Sequence, residues 1–162
     1  MLVWCIFAHM QNKWSFELIS WLIIAIVILT VLLPIYNGIH TKYPFYVMNA
    51  AGIAVFLYFT KCIFLLRHTF FSHMAKFKFI LILVCILLIL YFIDGLYEGQ
   101  RYFDEERLYE ALRYLPSDDQ IGLGKYIRYE LIFFTTSALI VSVLFPIRLI
   151  VSEWRIRNRG TV

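Results

Sequence analysis

Ionisable side chains inside long hydrophobic segments are the residues of this sequence best suited to chemistry. Glu17 and Lys61 each lie near one end of an apolar segment of about 20 residues, and Asn49 lies near the other end of the segment that holds Lys61. A charge in an apolar medium is costly unless it is paired, and an uncharged polar group such as the Asn49 amide is costly unless it is hydrogen-bonded, so each of these residues is a functional candidate. Their similar depth predicts that Glu17 and Lys61 pair, or that Lys61 extends to the nearby membrane surface.

A second group of candidates is acidic. Asp94 and Glu98 are four residues apart, which places both on one face of a helix, and Glu130 is expected at a similar depth on another helix. Neighbouring carboxylates repel each other, so one of them could hold a proton and exchange it near neutral pH. The alternative is that these acids are only solvated, or that Arg128 neutralises Asp94.

The sequence gives little support for a metal or a cofactor. His68 and His73 are five residues apart, which misses the i,i+4 spacing that puts two ligands on one face of a helix. No sequence motif for phosphate binding, dinucleotide binding or a serine nucleophile occurs. We therefore expect no cofactor, and the sequence leans away from an enzyme.

Composition places these candidates in a membrane. Of the 162 residues 62% are hydrophobic and 16% are charged, and the mean hydropathy is +0.76. A soluble domain of this length cannot bury so much apolar surface in one core. The formal net charge of +4 does not indicate nucleic-acid binding, because the basic residues lie at the ends of hydrophobic segments. The expected surroundings are the lipid bilayer.

Four segments are long and apolar enough to cross the hydrocarbon of a bilayer. They are residues 16–36, 45–66, 77–96 and 129–151. Helices are expected because a single span in lipid must satisfy its own backbone hydrogen bonds. The sequence thus predicts an all-α integral membrane protein with four transmembrane helices, in one domain covering residues 1–162.

The distribution of charge predicts the orientation. With a cytoplasmic N-terminus, nine of the fifteen Lys and Arg residues lie on the cytoplasmic side, and nine of the eleven acids lie between Asp94 and Glu130 on the other side. The positive-inside rule then favours a cytoplasmic (inner or plasma) membrane with both termini in the cytoplasm. Residues 152–162 become a basic cytoplasmic tail.

The longest predicted loop, residues 97–128, faces outward and contains the charged segment DEERLYEALRYL at 104–115. This segment favours a short amphipathic helix outside the membrane. Asp104 is its expected N-cap, and Pro116 is its expected end.

Two faces of that predicted helix have different chemistry. Leu108, Leu112 and Leu115 form a narrow apolar stripe, which either covers the outer ends of the spans or binds a partner. Glu105 and Glu106 lie on its charged side. If the helix is a docking element, these two acids and the first two leucines are its expected contact residues.

Small residues predict where the spans pack. In the second span, Ala50, Ala54 and Leu57 share a helical face with Lys61. In the fourth span, a weakly polar face is formed by Thr135, Ala138 and Ser142. Such faces let helices approach closely.

Three functions remain open at this stage. The leading one is a non-catalytic membrane subunit or scaffold that presents the acidic helix and the basic tail to a protein partner or to a second copy. The alternative is a small oligomeric transporter or channel element, supported by Glu17, Asn49 and Lys61. A membrane-embedded enzyme using Asp94, Glu98 and Glu130 is the third.

Overall fold

The computed structural model describes residues 2–39, 43–66, 69, 75–105 and 107–158, with side chains described from residue 14 onward except at Ala75. Its helices are α1 (Leu2–Ile39), α2 (Tyr46–Leu65), α3 (Ala75–Asp104), α4 (Arg107–Leu112) and α5 (Ser117–Arg157). No strand occurs within these ranges. Four helices are long and apolar enough to cross a membrane, over Trp14–Ile39, Tyr46–Leu65, Lys76–Asp104 and Ser117–Arg157. The predicted all-helical class with four such helices is confirmed.

The four long helices pack in the order α1, α2, α5, α3. Helices α2 and α5 form the central pair, α1 packs on α2, and α3 packs on α5. One third of the apolar segment of α2 and of α5 is buried in the protein (33%), against 11% for α1 and α3. The outer helices therefore expose most of their apolar surface, as expected where lipid or another protein covers it.

Helices α2 and α5 approach closely at Gly52. A Cβ atom added to Gly52 would lie 3.5 Å from the backbone carbon and oxygen of Phe134, so anything larger than a methyl group would meet the α5 backbone. The weakly polar face predicted for α5 does pack here, since Thr135, Ala138 and Ser142 are fully buried.

The packing face predicted for α2 is wrong. Its buried residues are Met48, Asn49, Gly52, Ile53, Phe59 and Cys62. Ala50 and Ala54 are only half-buried. Apolar residues surround α2 on all sides, so the sequence does not fix its rotation, and in the structure the side that carries Gly52 meets α5.

The helices on either side of the predicted outer loop, residues 97–128, extend into it. Helix α3 continues to Asp104 and α5 begins at Ser117, so only residues 105–116 lie between them. Asp104 is not an N-cap but the last residue of α3, and the Glu105 N–H donates to the Arg101 carbonyl at 3.0 Å.

The segment between α3 and α5 therefore holds a helix of only six residues, α4. Pro116 is the N-cap of α5 rather than the end of that short helix. The C-terminal end of α4 is capped by Gln120, whose Nε2 donates to the Leu112 carbonyl at 2.9 Å. Asp118 and Asp119 in the first turn of α5 favour its early start through the helix dipole.

Buried apolar residues form a cluster at the end of the bundle where α4 lies, which we call the α4 end. Its members come from the ends of α1 and α3, the starts of α2 and α5, and α4: Ile35, Ile39, Tyr43, Phe45, Met48, Phe103, Leu108, Leu112, Ile127 and Leu131. Leu108 and Leu112 are thus buried inside this chain, and Leu115 packs against the cluster. Of the two roles open to the leucine stripe, the structure gives it the covering one.

Candidate functional site

Three polar pairs join neighbouring helices, one at each interface of the row. Glu17 of α1 pairs with Lys61 of α2, and Asn49 of α2 bonds to Glu130 of α5. At the third interface, Lys78 of α3 pairs with Glu153 of α5. The first and third pairs lie at the end opposite α4, which we call the tail end. The Asn49–Glu130 pair lies at the α4 end.

The Glu17–Lys61 pair has the contact that the sequence favoured. Lys61 Nζ lies 2.6 Å from Glu17 Oε2, and the two side chains are 11% and 16% exposed. The ammonium also lies 4.9 Å from the ring centroid of Phe16 and 5.2 Å from that of Tyr58. These ring faces add cation–π attraction, which is stronger away from water. Lys61 is therefore held by an acid and two rings rather than extended to the surface.

Sequence reasoning missed the Lys78–Glu153 pair. Lys78 Nζ lies 3.2 Å from Glu153 Oε2 and 3.3 Å from Ser152 Oγ, and the lysine is 2% exposed. Arg157 approaches the same carboxylate at 3.5 Å from the exposed side. Lys78 had been counted only as a flanking basic residue. Glu153 is the lone acid of the basic tail, residues 152–162, and this could have indicated that it pairs with a basic residue such as Lys78.

The Asn49–Glu130 pair is the most buried polar contact between the central helices. Asn49 is fully buried and Glu130 is 6% exposed. Asn49 Nδ2 donates to Glu130 Oε2 and lies 3.3 Å from the hydroxyl oxygen of Tyr43. Burial raises the pKa of Tyr43 above its usual range, so its hydroxyl stays neutral. Both residues were sequence candidates, but their pairing was not foreseen.

Two oxygens of this pair lack a hydrogen-bond partner. They are Asn49 Oδ1 and Glu130 Oε1, both buried. The hydroxyls of Thr135 and Ser142, farther along α5, are likewise buried without a partner. The centre of the α2–α5 interface therefore carries more polar atoms than its hydrogen bonds use.

The acidic rim expected from the sequence is not assembled. Asp94 and Glu98 are exposed on α3, whereas Glu130 is buried against α2. Arg128 does not neutralise Asp94; its Nη2 lies 3.9 Å from Asp104 Oδ1, and its guanidinium lies 5.9 Å from the Phe103 ring. Asp94 and Glu98 therefore fit the alternative that these acids are only solvated. Depth along a helix does not fix which face a residue occupies, so similar depth does not bring them to Glu130.

Glu105, just before α4, lies in a charged surface. Glu105 accepts from Arg101 Nε at 2.7 Å and lies 2.8 Å from Arg107 Nε. The hydrogen bond from Arg101 holds the pKa of Glu105 below its usual range, so its carboxylate is ionised. Glu106, the other predicted docking acid, lies outside the described residues.

Two glycines of α3 were also missed. Added Cβ atoms at Gly95 and Gly99 would collide with the side chains of Met48 and Leu131. The two glycines form a GxxxG motif, which is the signal that could have found them. They let α2 and α5 side chains pack tightly against α3 near the Asn49–Glu130 pair.

Comparison of the chain with protein-family models, with curated proteins and with solved structures finds no match. Functional inference accordingly rests on the geometry above.

Proposed function

We propose that this protein is integral to a cytoplasmic or plasma membrane, with four spans and both ends in the cytoplasm. The apolar surface of the four long helices supports insertion. The orientation rests on the excess of Lys and Arg at the tail end. In this arrangement the α4 end faces outward.

Thiol labelling tests this orientation. Single cysteines at Ser117 and Arg157, both exposed, are introduced into a background that lacks the native cysteines. In intact cells an impermeant maleimide is expected to label position 117 and to label 157 only after permeabilisation. The opposite pattern, or labelling of both sites in intact cells, contradicts the topology.

We further propose that the protein is a non-catalytic subunit or scaffold of a membrane assembly. The observation that carries this proposal is that each polar pair inside the bundle joins a residue of one helix to a residue of its neighbour. Such pairs favour one helix order and register, a role in structural specificity for which buried polar residues are known. In this proposal the side chains of these pairs hold the helices together and do not bind a substrate.

The surface proposed for partner contact is the charged α4 end. Glu110, Asp118 and Asp119 are exposed there. Charges at the rim of an interface set partner choice and association rate more than folding stability. A partner with a basic surface fits this acidic end.

Charge reversal tests this surface. Glu110→Lys with Asp119→Lys is expected to leave protein level nearly unchanged, since losing an acid near a helix start costs only about 0.3–1 kcal/mol. Partner recovery after mild solubilisation and crosslinking is expected to fall. Arg113→Glu, on the same exposed surface, is the matched control and should preserve recovery. If the double variant retains every wild-type partner, the docking role is wrong.

A further inference from the structure

The Asn49–Glu130 pair leaves hydrogen-bonding capacity unused where water is scarce. Asn49 Nδ2 carries two hydrogens, which point to Glu130 Oε2 and to the Tyr43 hydroxyl oxygen. Asn49 Oδ1 and Glu130 Oε1 are buried and receive no hydrogen bond. An unsatisfied buried polar atom costs about 1–3 kcal/mol, so two of them in one contact call for an explanation.

No basic side chain in the described ranges forms an ion pair with Glu130. Lys61 and Lys78 bond to their own acids at the tail end. Arg128, although only two residues from Glu130, is directed towards Phe103 and Asp104. An ionised Glu130 would therefore be a buried charge without a counter-charge, which is strongly unfavourable.

The titratable groups closest to Glu130 are phenols. Tyr43 comes from the turn before α2, and its ring lies near that of Tyr102 on α3. Tyr126 precedes Glu130 by one turn of α5, and its hydroxyl donates to the Val31 carbonyl of α1 at 2.9 Å. Helix α4 contributes Leu108 and Leu112 to this end of the bundle. Neutral phenols and leucines do not compensate a carboxylate charge.

We propose that Glu130 is a proton-binding site and that its protonated carboxyl forms a cyclic pair with the Asn49 carboxamide. In this pair Asn49 Nδ2 donates to Glu130 Oε2, and the Glu130 Oε1 hydroxyl donates to Asn49 Oδ1. The second hydrogen on Nδ2 remains directed to Tyr43. One proton thus gives both unpartnered oxygens a hydrogen bond and removes the uncompensated charge.

The apolar cluster at the α4 end keeps this proton in place. Met48 adjoins Asn49 along α2, and Leu131 adjoins Glu130 along α5; both belong to that cluster together with Leu108 and Leu112. These apolar residues limit the access of water to the pair. The proton site goes beyond the proposed scaffold role, which uses the same pair only to hold α2 against α5, and it would give the transport alternative a proton-carrying group.

Infrared difference spectroscopy tests the proposal directly. Wild-type protein in lipid vesicles is compared with Glu130→Gln at neutral pH. The wild type is expected to show the C=O band of a protonated carboxyl, which is lost in the variant and lost on raising the pH. Absence of this band at neutral pH overturns the proposal.

Asn49→Ala tests the cyclic pair. Without the Asn49 oxygen as acceptor, the C=O band of Glu130 should shift to higher frequency, as expected for a weaker hydrogen bond. A band that stays in place means that the proton is held without Asn49, and the pairing is then wrong.

Thermal unfolding in detergent supplies a second readout. In Glu130→Gln the new amide can donate to Asn49 Oδ1 and accept from Nδ2, so it replaces the neutral acid closely. The variant should keep the wild-type unfolding temperature at neutral pH, whereas the wild type should lose stability as the pH rises and Glu130 ionises. A variant that is much less stable at every pH indicates that the charged carboxylate is needed, which contradicts the proposal.

Discussion

Replacing Leu108 and Leu112 together by alanine is expected to lower the free energy of unfolding by at least about 4 kcal/mol, since each fully packed leucine contributes about 2–5 kcal/mol. The two side chains are 2% and 0% exposed within the cluster at the α4 end. Helix α4 has only six residues and is too short to be stable without this packing. The variant should therefore release α4 as well as open a cavity.

The measurement is denaturant-induced unfolding in mild detergent, with proteolysis near α4 as a local probe. Ile121→Ala is the matched control, because it removes an aliphatic side chain at the same end that is 50% exposed. It should change stability little. If the leucine double variant is as stable as this control, α4 does not cover the bundle in the way the structure indicates.

Lys61→Met is expected to have the second largest effect, a loss of about 3–5 kcal/mol, because it leaves the Glu17 carboxylate largely buried without its cation. Methionine keeps much of the length of the side chain, so the loss reports on charge rather than on packing volume. The cation–π contacts with Phe16 and Tyr58 are lost together with the ion pair. Folded yield and the unfolding midpoint in detergent are the readouts.

A double-mutant cycle separates this pair from independent effects. Glu17→Gln combined with Lys61→Met removes both charges, and it should recover part of the stability lost in Lys61→Met alone. The interaction energy from the cycle measures the coupling between the two side chains. Strictly additive losses would show that Glu17 and Lys61 act separately despite their contact.

The Glu17–Lys61 contact could be anticipated from sequence because hydropathy sets the depth of a residue along a span. Both residues lie near the same end of their apolar segments, and opposite charges at equal depth in lipid find each other if their helices are neighbours. Lys78 shows the limit of the same reasoning. It lies about one turn inside α3, and hydropathy does not distinguish a lysine that reaches the surface from one that is 2% exposed.

Asn49 and Glu130 were recognisable as candidates but not as partners. Depth can be read from the sequence, whereas rotation about the helix axis cannot when apolar residues surround a helix, as they do in α2. The rotation of α2 follows from its approach to α5 at Gly52, which is a tertiary contact. For the same reason Asp94 and Glu98 were placed beside Glu130 although they lie on an exposed face of α3.

Helices α3 and α5 extend beyond the predicted spans because hydropathy reports where lipid would end rather than where a helix ends. Gly95 and Gly99 suit a loop in isolation, but they lie inside α3, where they make room for Met48 and Leu131. Beyond them the Arg101–Glu105 pair supports the last turn of the helix. The packing of Met48 and Leu131 against these glycines accompanies the continuation of the helix, and the exposed ion pair adds only little to it.

The position of α5 between α2 and α3 has a consequence for biosynthesis. Asn49 on α2 and Lys78 on α3 both take their partners from α5, and α2 and α3 make little contact with each other. If the chain inserts into a membrane as proposed, these two residues enter it before Glu130 and Glu153 have been synthesised, so the nascent chain then carries polar groups in lipid without those partners. The helix bundle is complete only when α5 has packed between α2 and α3. Until that moment, Asn49 and Lys78 lack the partners that distinguish a finished chain from an unfinished one.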